Sequence, residues 1–138
     1  MFGKILLAVD HSAAAERAIS AARELATLSD GEVWVLHLRE KEILYRGGFV
    51  MLESEAEAQA IVEHAWQELH DSGVKAHYEV QNTLHGQAGP AIVDAAIAHD
   101  AGVIVVGSRG RSDLAGLVLG STAHKVIHLS DRPVLVVR

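Results

Sequence analysis

The chain has 138 residues, 49% of them hydrophobic and 22% charged, a balance that supports one globular core and gives no sign of disorder. A formal net charge of −6 argues against broad, salt-dependent binding to nucleic acid, which needs a basic face, although a local field on an acidic protein still attracts small anions. Cysteine is absent, which excludes disulfides and thiolate chemistry, and no apolar run approaches the roughly 20 residues of a membrane span.

The opening MFGKILLAVD enters a strand at once, without the charged head, long apolar stretch and small-residue cleavage site of a secretory leader. The expectation is therefore a cytoplasmic single domain over residues 1–138, with no membrane partner. Lys4–Val9 is the first strand. Behind Ser12, a candidate N-cap, Ala15, Ala18, Ile19, Ala22, Leu25 and Ala26 fall on one helical stripe. Val33–Leu38 is the second strand. The segment Arg39–Leu52 (REKEILYRGGFVML) fits neither period and stands open as a lid, a partner surface or a long connection.

Ala58, Ile61, Val62, Ala65, Trp66 and Leu69 form a second helical stripe. Ala76–Val80 alternates, with Ala76, Tyr78 and Val80 on one face and His77 and Glu79 on the other, as in an edge strand with one wet side. Pro90 suits a first helical turn, and Ala91–Ala101 reads as a third helix. Val103–Val106 and Val134–Val137 are short β-branched runs, apolar on both faces. A fourth helix near Ser121 lies between them and carries Ala123, Val126 and Ile127 inward. This alternation predicts a doubly wound α/β domain: a mostly parallel five-stranded sheet with right-handed crossovers and helices on both faces.

No G-x-x-x-x-G-K-[ST] occurs, and DHSAAAE behind the first strand has no glycine, so neither a lysine-bearing P-loop nor the dinucleotide fingerprint is present. The stretch GSRGRSDLAGLVLGST, Gly107–Thr122, is different. Open parallel sheets bind ligands beyond the carboxyl ends of their strands, and Gly107 sits at such an end. Gly107 and Gly110 permit positive φ and a close approach to the main chain. Gly120 and Ser121 supply the free amides of a helix start, which favour anions, and Ser121 and Thr122 add hydroxyls. These are the parts of a phosphate cradle without a lysine, in which Arg109 and Arg111 either cover phosphate charge or stay solvated.

Gly107-x2-Gly110-x9-Gly120-Ser121 resembles the nucleotide-binding signature of the universal stress protein family, in its ATP-binding branch. ILLAVDHS, LHL and PVLVVR resemble that family's first, second and last strands, so the likeness covers the whole chain. It implies a Rossmann-like, adenine nucleotide-binding sheet of order 3-2-1-4-5. It also implies roles: Asp10 facing ribose and phosphates, Leu38 offering backbone groups to adenine, and Ala8 and Val106 lining the base pocket. Gly107 and Gly110 would meet ribose and phosphates, while Gly120, Ser121 and Thr122 would hold the phosphates. The chain departs from the pattern at His11, where glycine is usual, at Gly102, where aspartate is common, and in GSTAH, which moves one hydroxyl to Thr122.

Asp10 beside a phosphate requires a cation between them or a ribose hydroxyl to accept, so magnesium bound with ATP is expected there; a plain N-cap or turn role is the alternative. His124 and His128, four apart, share a helix face, as a metal pair or as two surface histidines. His37 reads as a packed or hydrogen-bonded strand residue, His64 and His70 as wet-face residues, and Trp34 and Trp66 as core. The uncharged final strand Val134–Val137 invites edge-to-edge pairing into a homodimer, which the resemblance also implies. The resulting expectation is an ATP-binding, homodimeric regulatory protein of the stress response, acting on an unidentified protein partner and not an enzyme. Asp10, Asp113, Arg109 and His124 offer parts of a weak ATPase but no committed spacing. A scaffold without nucleotide is the third reading.

Overall fold

The computed structural model of the chain describes residues 1–108 and 119–138. Arg109, Gly110, Arg111 and Asp113 lie outside the described residues. Among the described residues ten elements follow in order: β1 (Lys4–Ala8), α1 (Ala13–Ser29), β2 (Glu32–Ile43), β3 (Phe49–Met51), α2 (Glu55–Asp71), β4 (Ala76–Leu84), α3 (Ala88–Ala98), β5 (Val103–Gly107), α4 (Ser121–Leu129) and β6 (Val134–Val137).

The five parallel strands run β4-β2-β1-β5-β6, which is the expected 3-2-1-4-5 order once the short β3 is set aside. Strand alternation sorts the core into two layers. Ile5, Leu7, Val33, Val35, Val103 and Val105 face one way and pack under α1 and α2. Leu6, Leu36, Leu38, Ile104 and Val106 face the other way and pack under α3 and α4. Burial on both faces explains why these strands read as continuous apolar runs.

Local chemistry sets the helix ends. Ser12 is the N-cap of α1, and Asp30 ends it in the left-handed conformation at φ 51°. Ser54 caps α2 by accepting the Glu57 amide at 3.1 Å, with Glu57 in the acidic first turn. Pro90 lies in the first turn of α3, where its missing N–H has no intrahelical partner to lose.

Several expectations change. The third helix starts three residues earlier than its apolar pattern suggested and ends at Ala98. On α4, Ala123 and Val126 are buried, but Ile127 is exposed. The presumed wet side of β4 is partly filled: Trp34 stacks between His77 at 4.8 Å and His99 at 3.9 Å, and its Nε1 donates to Glu79. β4 nevertheless remains an edge, bonded to β2 alone among the described residues.

Arg39–Leu52 proves to be a hairpin. β2 continues to Ile43, turns through Gly47 and Gly48 at φ 94° and 77°, and returns as antiparallel β3. Two successive positive φ values are open only to glycine without strain, so the glycine pair makes the reversal possible. β3 lies on the edge of β2 opposite β4, because Lys41 pairs with Met51 on one side and Leu84 on the other. The hairpin tip leaves Ile43, Leu44, Tyr45 and Phe49 exposed.

Candidate functional site

β1 is the switch point of the sheet: the chain leaves it in one direction through β2 and β4, and β5 and β6 occupy its other side. Flanking crossovers diverge at such a point and leave a crevice beyond the strand ends. A cavity of about 370 Å³ opens there, within the size range of small-ligand sites. Ala8, Leu38 and Val106 form part of its lining and belong to the α3–α4 side of the sheet. Asp10, Gly107, Gly120 and Thr122 also line it.

The structure corrects three details of the cradle. Gly107 does not use positive φ; it ends β5 in register with Val137. The Gly120 amide is already taken, donating to the Ser108 carbonyl, so it is unavailable to a phosphate. Ser121 is exposed and does not line the cavity. What remains at the head of α4 is the pair Thr122 and Ala123, which line the cavity in the first helical turn, where amides lack intrahelical acceptors. Arg109 and Gly110 fall outside the described residues.

Asp10 is half-buried. Its Oδ1 accepts the Ser12 amide at 2.8 Å and the Ser12 hydroxyl at 2.6 Å, which fixes the turn into α1 and turns the N-cap hydroxyl toward the aspartate. Oδ2 makes no hydrogen bond to a described residue.

One cluster lay beyond sequence reasoning. Glu53, 7% exposed, sits between β3 and α2 and also lines the cavity. Its Oε2 lies 2.6 Å from His11 Nε2, and its Oε1 contacts Nε2 of His37, which is 4% exposed. His37 Nδ1 lies 2.7 Å from the Val9 carbonyl. His37 is thus a hydrogen-bonded strand histidine, as its pattern suggested. His11 does more than crowd the turn after Asp10, because it reaches across to Glu53. The hairpin delivers Glu53: Leu52 donates its amide to the Glu40 carbonyl, and Arg39 Nε donates to the Glu53 carbonyl at 3.1 Å.

Glu40 and His85, paired at 3.1 Å, complete the polar wall. Among the described residues, three carboxylates and three histidines line the cavity and no lysine or arginine does. An anionic ligand there must draw compensation from main-chain amides or from a cation. His124 and His128 are exposed, with ring centroids 6.3 Å apart, and do not line the cavity.

Comparison with known proteins places this geometry. The sequence profile of the Universal stress protein family matches residues 1–138. The chain belongs to the universal stress protein family. Universal stress protein YxiE of Bacillus subtilis is 34% identical over 153 aligned residues, covering 100% of both chains. The solved structure of MJ0577, a protein of Methanocaldococcus jannaschii, superposes with a TM-score of 0.80 at 29% identity, covering 99% of this chain and 96% of the other. The universal stress protein from Archaeoglobus fulgidus, solved in complex with dAMP, superposes with a TM-score of 0.76 at 28% identity, covering 100% of both. The α/β fold of the family is therefore the fold of this chain. Among the described residues, no helix is long and apolar enough to cross a membrane.

Proposed function

We propose that this universal stress protein is a nucleotide-binding regulatory protein that takes an adenine nucleotide, ATP foremost, in the cavity beyond β1 and β5. The observation that carries the reading is the coincidence of that cavity with the switch point of the sheet, with Ala8, Leu38 and Val106 on one wall and the first turn of α4 on another. The dAMP complex of the Archaeoglobus fulgidus relative supports an adenine nucleotide as the ligand class. In this reading the apolar wall receives the base, Asp10 faces the ribose and phosphates, and Gly107, Thr122 and the Ala123 amide approach the phosphates.

Magnesium is assigned to Asp10 as a companion of the triphosphate. Oδ1 accepts from Ser12, and Oδ2, which bonds to no other described residue, is assigned to a cation that takes one carboxylate and completes its shell with phosphate oxygens and water. No pair of groups in the cavity is assigned to hydrolysis; nucleotide occupancy acts by changing contacts with a protein partner. The homodimer forms through β6, an apolar edge bonded only to β5 among the described residues, with Leu135 40% exposed.

The test is direct. Nucleotide released from purified protein by denaturation is identified chromatographically, and ATP, ADP and AMP are compared by thermal shift. A ligand present at 100 times its Kd should stabilise the fold by about 2.7 kcal/mol. The absence of both a co-purified adenine nucleotide and a shift with any of the three at millimolar concentration would sink the proposal.

A further inference from the structure

We propose that His11, His37 and Glu53 form a three-ligand site for a zinc-class divalent cation in the wall of the cavity. Three segments converge to make it: the turn after β1, the middle of β2, and the loop from β3 to α2. One ligand atom from each residue lies within 4.8 Å of the other two.

The tautomer of His37 carries the argument. Its Nδ1 faces the Val9 carbonyl at 2.7 Å, and a carbonyl oxygen only accepts, so Nδ1 holds the ring proton. In the neutral ring Nε2 then presents a lone pair, and it points at Glu53 Oε1, another lone-pair atom. Two such atoms make close contact in a buried site only with positive charge between them, supplied by a proton or by a metal ion. A histidine whose second nitrogen donates to a backbone carbonyl is also the usual outer-shell arrangement of a metal ligand, because it fixes the ring and raises its basicity. Here that partner, the Val9 carbonyl, directly follows the switch-point strand. Glu53 is held from its main-chain side by Arg39, and the hairpin anchors the residue before it.

The donor set selects the metal. Two imidazoles and one carboxylate suit zinc and its borderline neighbours, whereas magnesium and calcium prefer oxygen throughout. With bonds of about 2.0–2.1 Å, tetrahedral donors stand roughly 3.3 Å apart, so the His11 contact at 2.6 Å opens by less than about 1 Å on metal entry. His11 has the freedom to make that adjustment, because its side chain is 35% exposed. The proton held between His37 and Glu53 leaves to water as the metal enters. A fourth position faces the cavity, which all three residues line, and takes water or a ligand atom. Glu16, His64 and Glu68 also cluster, but none is buried and no backbone contact orients the histidine, so they serve as the control.

The site is tested on untagged, full-length protein, stripped with chelator and free of nucleotide, so that its outcome is independent of the nucleotide proposal. Zinc is titrated calorimetrically, and cobalt(II) is titrated by visible absorption. The expected result is one ion per chain, tetrahedral-type cobalt bands, and a loss of affinity of at least about tenfold in His11→Ala and in Glu53→Gln, with His64→Ala unchanged. Glu53→Gln keeps the shape and hydrogen-bonding capacity of the side chain, so a folded variant is expected and is checked by circular dichroism. No binding in the micromolar range overturns the proposal. So does wild-type affinity in both cluster variants, or a loss that follows His64→Ala instead.

Discussion

Glu53→Ala and Glu53→Gln should separate in stability, although they replace the same side chain. Glu53 is almost fully buried, and each carboxylate oxygen has one imidazole partner. Alanine removes the partner of buried His37 Nε2, a loss of about 1.5–3 kcal/mol for a hydrogen bond to a charged group. The His11 contact adds at most about 1 kcal/mol, because that side chain is one-third exposed and water replaces the bond. The lost methylene adds about 0.8 kcal/mol. Alanine therefore costs about 2–5 kcal/mol. Glutamine restores both contacts: its amide N–H donates to the His37 Nε2 lone pair, which the Val9 carbonyl leaves facing it, and its carbonyl accepts from His11. Its cost should stay below about 1 kcal/mol. For a domain of this size, each kcal/mol moves Tm by roughly 3–5 °C, so alanine lowers Tm by about 6–25 °C and glutamine by less than about 5 °C. The assay is thermal and urea unfolding in chelator at one fixed protein concentration. Equal stability of the two variants, within about 0.5 kcal/mol, would refute both the burial and the tautomer reasoning.

Three further outcomes follow from the same coordinates. Ala8→Phe places a ring in the cavity wall and should abolish the nucleotide-dependent thermal shift while the ligand-free protein still melts cooperatively; unchanged affinity by equilibrium dialysis would remove the base from that wall. Gly89→Leu should destabilise by about 1–3 kcal/mol in urea, because a Cβ at 89 would lie 2.6 Å from Lys125 Cβ and force α3 away from α4; a neutral result would mean those helices separate freely. Leu135→Lys puts a charge on β6, which bonds only to β5 among the described residues, and is expected to convert the proposed homodimer to monomer in sedimentation, whereas a wild-type monomer or a variant that stays dimeric would overturn the β6 interface.

The elements were legible where a local period sufficed. Ile5 to Leu7 and Val103 to Val106 are buried, as are Val33, Val35 and Leu36 with Trp34 partly so, and their unbroken apolar runs announced parallel strands. The stripe from Ala15 to Ala26 announced α1 and with it the alternating order, while the strand order that sets the switch point was implied by resemblance to the family. Ala8, Leu38 and Val106 were placed by resemblance to the family, and the fold does bring them to one cavity.

Only tertiary structure decided the rest. Arg39–Ile43 is mostly charged and reads as loop, yet it continues β2 because β4 supplies partners from Asn82 to Leu84 across more than forty residues of chain. Glu53 stands in an acidic run with Glu55 and Glu57, and nothing local separates the three. The hairpin turn at Gly47 and Gly48 folds the first of them over His37 and leaves the others at the start of α2. The Gly120 amide, free in any linear reading, is taken by Ser108 once β5 and α4 meet. Periodicity reports which face of an element sheds water, and that is a property of neighbours in sequence. Which donor meets which acceptor depends on how distant segments close on one another, and a linear pattern does not encode that closure in any local signal.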